Sequence, residues 1–375
     1  MSSNSNPNLG KNIYALDGLR GIAILSVIIH HCFYAPPAIP FSEQINCLLQ
    51  SGRLGVGIFF VLSGFLMGCA VFGESGSFPV ATYIKKRFAR IYPPFILSIV
   101  FSSIIALLCK ANLLEVFSSS MLYLSTIANW LHPAREINEV LWSLLIEIHF
   151  YIILPVLYLF VRKFFYNAAF ITCVIFVSVP PLIRLWNFIF VDNYSDGWTA
   201  FQTVFPMRMD SFALGLFFSV IYLKKNFSKT SPIYTNNICS FGVFGLIITY
   251  IFYAMSFMLP YLSSMRCEGI FLEIAYIGIT FSTFSLLWVV FDTSSIFSKF
   301  LSSRLLTFLG LISYEWYLFH YPLIYLCEFF APHGSVTGYL IKVLTPLLGS
   351  LIIAYFVYRF FSKPIQKWIR GIPVS

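Results

Sequence analysis

The chain reads as an all-α, polytopic membrane protein of about ten transmembrane helices with both termini in the cytoplasm. Two observations carry this reading. Of the 375 residues, 58% are hydrophobic and only 10% are charged, where a soluble domain carries roughly 25%. So few charges cannot cover the surface of a water-soluble enzyme, and intrinsic disorder needs the opposite composition. The apolar residues also gather in runs of about 17–25, the length that crosses a bilayer as a helix. A membrane barrel would show short alternating segments instead. The 42 Phe and 22 Tyr suit helices that face lipid.

The elements follow in order. Residues 1–14 are polar and read as a cytoplasmic tail. No small-residue cleavage site follows the first apolar run, so it reads as a retained span. Spans are expected near 15–35, 54–72, 92–109, 142–161, 168–190, 207–223, 238–258, 269–291, 305–329 and 340–361. Residues 15–362 thus form one membrane domain, and 363–375 a second cytoplasmic tail. The stretch 83–94 reads as a loop, and Pro180 and Pro181 as a break in the fifth span. The segment 112–141 fits no clean span and is expected outside, as an interfacial piece, or as a re-entrant one.

With the N-terminus inside, 17 of the 24 Lys and Arg fall in cytoplasmic segments and four outside. That split follows the positive-inside rule. The net charge of +9 therefore belongs to loops at the membrane and does not call for a nucleic-acid partner. The eight Cys are scattered, without a CxxC pair or a Cys/His cluster at metal spacing. They read as small apolar residues in helices, and no metal site is expected.

Ionisable groups at membrane depth are functional candidates, because each costs several kcal/mol to place there. In LDGLRGIAILSVIIHH (16–31), Arg20 and His31 are eleven residues apart. They share one helix face and lie about 16 Å apart along the axis. Asp17, one turn before Arg20, would hold its guanidinium. The bland alternative is an Arg that snorkels and a His that caps the outer end. His30, about 80° off that face, is the weaker of the two imidazoles. In GVGIFFVLSGFL (55–66) the glycines suit close helix contact, and Ser63 is a candidate lining hydroxyl. YIKKRFARIYPP (83–94) carries Lys86, Arg87 and Arg90 within about one turn. These are positive-inside charges or a phosphate cradle, since guanidinium groups bind phosphates by paired hydrogen bonds. LWSLLIEIHFYIILP (141–155) sets Ser143 and Glu147 four residues apart. Arg208 and Asp210, in PMRMDSFALG (206–215), form a local ion pair or line the site. LISYEWYLFHYP (311–322) places Ser313, Tyr317 and His320 on one polar stripe. Such a stripe faces a polar cavity, or else hydrogen-bonds between helices.

Together these segments resemble the acyltransferase-3 family of integral-membrane acyltransferases. The six motifs stand in the family's order over residues 14–364. The resemblance implies O-acylation, usually O-acetylation, of a glycan or other hydroxylated acceptor, with acyl-CoA as a cytoplasmic donor and no permanently bound cofactor. It also implies that Arg20 and His31 are the essential pair and that Arg87 and Arg90 are the basic motif. Glu147, Ser143, Arg208, Asp210, Tyr317 and His320 would line the site. Gly57, Ile148, His149 and Glu315 depart from the family pattern, and the C-terminal element appears as Ser362-Lys363-Pro364. Some members carry an additional extracytoplasmic SGNH-type esterase domain, which is not among these residues.

The expected partners are acyl-CoA, membrane lipid and a lipid-linked or surface polysaccharide such as lipopolysaccharide O-antigen. The expected location is a bacterial inner membrane. Coenzyme phosphates would bind Arg87, Arg90 and Arg20, with Lys86 beside them. His31 would act as general base or carry the acyl group, and Glu147 or a neighbouring hydroxyl would orient its ring. Two rival readings stay open. One is acylation of a lipid or small molecule by the same chemistry. The other is a transporter or flippase, because buried charges and broken helices serve transport as well.

Overall fold

The computed structural model describes residues 7–36, 39–73, 79–131, 136–190, 203–224, 232–258, 265–291, 295–332 and 335–371. Among these, the ordered elements are all helical. Six helical stretches are long and apolar enough to cross a membrane: Tyr14–Cys32, Ser42–Phe72, Val80–Leu108, Leu141–Leu159, Ile270–Val290 and Val336–Ile369. Shorter apolar helices join them at Leu113–Leu124, Val174–Asn187 and Phe241–Met255. The protein is a polytopic, all-α membrane protein.

The first helices pack through small residues. Helix α1 (Pro7–Cys32) is followed by a short α2 (Ser42–Gln50) and then a tight turn at Ser51–Leu54, which opens into α3 (Gly55–Phe72). At Gly52 a Cβ would stand 2.3 Å from the Ser26 carbonyl oxygen, so only glycine lets α3 begin against α1. The Ser26 hydroxyl donates to the Gly52 carbonyl at 2.8 Å and fixes that approach.

Helix α4 (Val80–Leu108) corrects one expectation. The basic stretch 83–94 is helix, and Pro93 and Pro94 lie inside it. Each proline removes a backbone donor and disfavours helix before it. Burial on one face overrides this, because Tyr83, Ala89, Ile91, Pro94, Phe95 and Ser98 are all buried. Arg87 and Arg90 are thereby held on a rigid element.

The 112–141 segment holds α5 (Leu113–Leu124) and α6 (Ala128–Leu131). Twelve helical residues reach about 18 Å, short of the roughly 30 Å hydrocarbon core. Asn112 caps α5 by accepting from the Leu114 and Glu115 amides. Further on, the segment dives into the bundle. Asn138 is fully buried, and its amide donates to the Leu318 carbonyl at 3.0 Å and to Ser102 at 3.3 Å.

Helix α7 (Leu141–Phe190) covers both the fourth and fifth expected spans and contains Pro155, Pro180 and Pro181. Its helical run cannot be straight. Forty-two residues from Trp142 to Arg184 would reach about 63 Å as a straight helix. Yet Asn129 bridges the carbonyls of Trp142 and Thr203 at 2.8 and 2.7 Å. Arg184 in turn reaches Asp210, seven residues past Thr203, at 2.8 Å. Those links hold the two ends within about 40 Å even with the intervening chain extended. The run therefore bends back: Leu141–Leu159 is long and apolar enough to cross a membrane, and Val174–Asn187 is a shorter apolar helix.

Helices α8 (Met209–Lys224), α9 (Pro232–Met258) and α10 (Met265–Val290) follow. The expected span 305–329 is divided. A short α11 (Ile296–Leu301) precedes α12 (Arg304–Leu311) and α13 (Ser313–Phe330), with Ile312 between the last two at φ −96°, ψ 3°. Glycines bring this corner onto α1. A Cβ at Gly310 would stand 1.8 Å from the Asp17 carbonyl oxygen, and one at Gly18 1.8 Å from that of Leu301. The last run comprises α14 (Val336–Leu344), α15 (Ser350–Val357) and α16 (Lys363–Arg370), joined by single π turns at Thr345–Gly349 and Tyr358–Ser362. It stays helical beyond the expected end at 361.

Candidate active site

A cavity of about 750 Å³, counting the space open toward solvent, lies where α1, α3, α4, α7 and α13 meet. Arg20, Arg87, Arg90, Ser63, Ser143, Glu147, Tyr151, Ser313, Tyr314 and Tyr317 supply its polar wall. Three guanidinium groups face one carboxylate there, which suits a polyanionic ligand. Arg20 reaches Asp17 at 3.5 Å. Arg87 lies between the rings of Tyr83 and Tyr151, 5.8 Å from each centroid. Glu147 accepts the Ser63 hydroxyl at 2.5 Å and the Tyr151 hydroxyl.

A vestibule of about 1090 Å³ adjoins it, again counting open space. The two share Arg20, Leu66, Arg90 and Tyr314 as a common wall. Asp17, Glu315, Tyr358 and Gln366 complete the vestibule, so residues near both ends of the chain frame its mouth.

His31 stands beyond the cavity, at the far end of α1, and pairs with α13. His320 is fully buried, and its Nδ1 lies 2.8 Å from the Tyr317 carbonyl and 3.2 Å from that of Trp316. A carbonyl only accepts, so His320 Nδ1 carries the hydrogen and its Nε2 offers a lone pair. His31 Nδ1 lies 3.0 Å from that Nε2 and must donate to it. The remaining nitrogen of His31, Nε2, is then left with a free lone pair. Tyr321 holds the His31 ring edge-on at 5.7 Å between centroids.

The Ser143–Tyr317 pair links the cavity wall to the histidines. Their hydroxyls lie 2.7 Å apart, and Tyr317 donates to the Val140 carbonyl at 2.9 Å. The Tyr317 ring then packs on His320 at 5.8 Å.

The residues singled out in the sequence thus fall into groups. Arg20, Arg87, Arg90, Ser63, Ser143, Glu147, Ser313 and Tyr317 line one cavity. His31 and His320 form a pair behind it. Glu147 bonds Ser63 and Tyr151, so the group beside the His31 ring is His320 and not Glu147. Lys86 is exposed on α4, outside the cavity. Arg208 and Asp210 belong to a separate buried cluster. There Arg184 donates to Asp210 at 2.8 Å and to Glu273 at 2.7 and 2.5 Å, and Arg208 stacks on the Tyr276 ring at 4.0 Å. Two cations and two carboxylates ground α7, α8 and α10 on one another.

Residues 13–359 match the family model for the acyltransferase domain of acyltransferase-3 proteins. The chain belongs to the acyltransferase-3 family. O-acetyltransferase OatA of Staphylococcus aureus strain NCTC 8325 is 27% identical over 373 residues, covering 94% of this chain. A putative O-acetyltransferase of Staphylococcus aureus strain COL, SACOL0978, is 26% identical over 377 residues, covering 95%. The chain spans 57% of the length of each of these curated relatives. No solved structure matches it.

Within the acyltransferase-3 frame, sequence reasoning missed the donor–acceptor pairing of His31 with His320 and the link of Ser63 to Glu147. These partners are far apart in sequence, and no local spacing announces them.

Proposed function

We propose that this acyltransferase-3 protein is a bacterial inner-membrane O-acetyltransferase that moves an acetyl group from acetyl-CoA to a hydroxyl of a surface glycan. The observation that carries this reading is the His31–His320 pair set behind a cavity lined by three arginines. The coenzyme phosphates bind Arg20, Arg87 and Arg90, entering by the vestibule. The pantetheine arm extends along Ser63 and Glu147 toward Tyr317, which must swing aside for the thioester to meet His31. Glu147, hydrogen-bonded by two hydroxyls, is suited to hold the arm's amide groups.

His31 Nε2 then takes the proton of the acceptor hydroxyl as its oxygen attacks the thioester carbonyl. The C–S bond breaks, and the coenzyme thiolate leaves with that proton. In the alternative order, Nε2 first accepts the acetyl group and then passes it to the hydroxyl. Both orders need the Nε2 lone pair that His320 secures. The similarity to O-acetyltransferases of Staphylococcus aureus supports the acetyl group and the oxygen acceptor.

The test uses purified protein in nanodiscs, labelled acetyl-CoA and a bacterial envelope glycan fraction. Free CoA should appear together with an acetylated glycan, and His31→Ala should slow both by about 10²-fold or more. Labelled acetyl-CoA moving across a proteoliposome wall without thiol release would favour transport instead.

A further inference from the structure

The outer side of His31 carries polar groups that the donor cavity does not use. Tyr321, edge-on to the His31 ring, donates its hydroxyl to Glu139 Oε2. Glu139 is exposed, and among the described residues Tyr321 is its hydrogen-bond donor. The Arg53 guanidinium interacts electrostatically with both Glu139 and His31 and lies 3.4 Å from the Tyr253 hydroxyl. Glu139 is thus tied to the His31 ring through Tyr321, and neither Glu139 nor Arg53 lines the donor cavity. Asn138, whose amide is buried against Leu318, anchors the backbone beside Glu139.

We infer that Glu139, held by Tyr321 next to His31, is the acceptor-side specificity residue and selects an acceptor with a second hydroxyl beside the one acylated. This rests on the proposed O-acetyl transfer. A carboxylate offers about four lone-pair positions and accepts two neighbouring hydroxyls at once. Tyr321 occupies one oxygen, leaving Oε1 for the hydroxyl next to the attacking one. Arg53 donates to ring or hydroxyl oxygens on the other side. A sugar with adjacent hydroxyls satisfies these groups. A lipid alcohol or other mono-ol leaves the carboxylate without its second donor, and a site built for a hydroxyl rejects an analogue that lacks it.

The test compares two acceptors in nanodiscs with labelled acetyl-CoA: a methyl glycoside with vicinal hydroxyls, and its deoxy analogue lacking one of them. Wild type should favour the diol by about tenfold or more in kcat/KM, the range of one hydrogen bond to a charged group. Glu139→Ala should erase that preference and raise the KM for the diol about tenfold. Its KM for acetyl-CoA should stay at the wild-type value, which also shows that the variant is folded. Tyr321→Phe should lower the preference only in part. A Glu139→Ala protein that keeps the full preference overturns the assignment while leaving O-acetyl transfer standing. A wild type that releases no CoA with either acceptor overturns the transferase reading and this subsite with it.

Discussion

At the residue scale, the His31–His320 pair decides which nitrogen is available. Backbone carbonyls fix the tautomer of His320, and His320 fixes that of His31. His31→Ala should lower kcat by about 10²–10⁴-fold, the usual worth of a positioned acid–base group. His30→Ala should be far milder, because it is His31, not His30, that bonds His320. His320→Ala should lower kcat while leaving the KM for acetyl-CoA unchanged, because it touches the imidazole and not the donor cavity. Steady-state kinetics on the three variants checks all of this. Arg20→Lys keeps the charge but loses the planar fork, and should raise the KM for acetyl-CoA about tenfold. Within one helix the sequence made these residues legible. Arg20 with Asp17, Ser143 with Glu147 and Tyr151, and Ser313 with Tyr317 all follow from helical spacing. His31 with His320, Ser63 with Glu147, and Arg184 with Glu273 are long-range pairings made by packing, which no period reveals.

At the element scale, two contacts hold the helices together, one beside the site and one apart from it. The α1–α12 corner rests on Gly310 and Gly18, where a backbone oxygen occupies the space a Cβ would need. Gly310→Ala should cost about 1–3 kcal/mol through forced separation of the helices. It should also weaken acetyl-CoA binding, because Asp17 and Arg20 ride on the displaced segment. Gly349→Ala, whose Cβ would meet methyls of Leu323 and Thr345 at 3.3 and 4.0 Å, serves as the mild control in detergent melting curves. The Arg184 cluster is the second contact. Arg184→Ala strands Asp210 and Glu273 and should cost about 3–5 kcal/mol, while the KM values of the surviving folded protein stay near wild type. Apolarity marked most of these helices in advance. It gave no warning of the break at Ile312, because residues 305–329 are apolar on both sides of it. The local rule about Pro93 and Pro94 also failed, since burial of one face of α4 outweighs two missing hydrogen bonds.

At the scale of the whole molecule, residues near both ends of the chain frame a vestibule, and an imidazole pair stands at the far end of the first helix, touched by the Tyr317 ring from the cavity wall. On the proposed transfer, a catalyst fed from both sides of an energised membrane faces a hazard that soluble enzymes escape. An unbroken wet path would short-circuit the voltage and pH difference that the cell spends energy to maintain. On that reading Tyr317, which lines the cavity and packs on His320, is the insulator. Trimming it to alanine should let protons through, seen as faster decay of an imposed pH gradient in vesicles carrying the variant. Vesicles that hold their gradient would locate the seal at another point along the path.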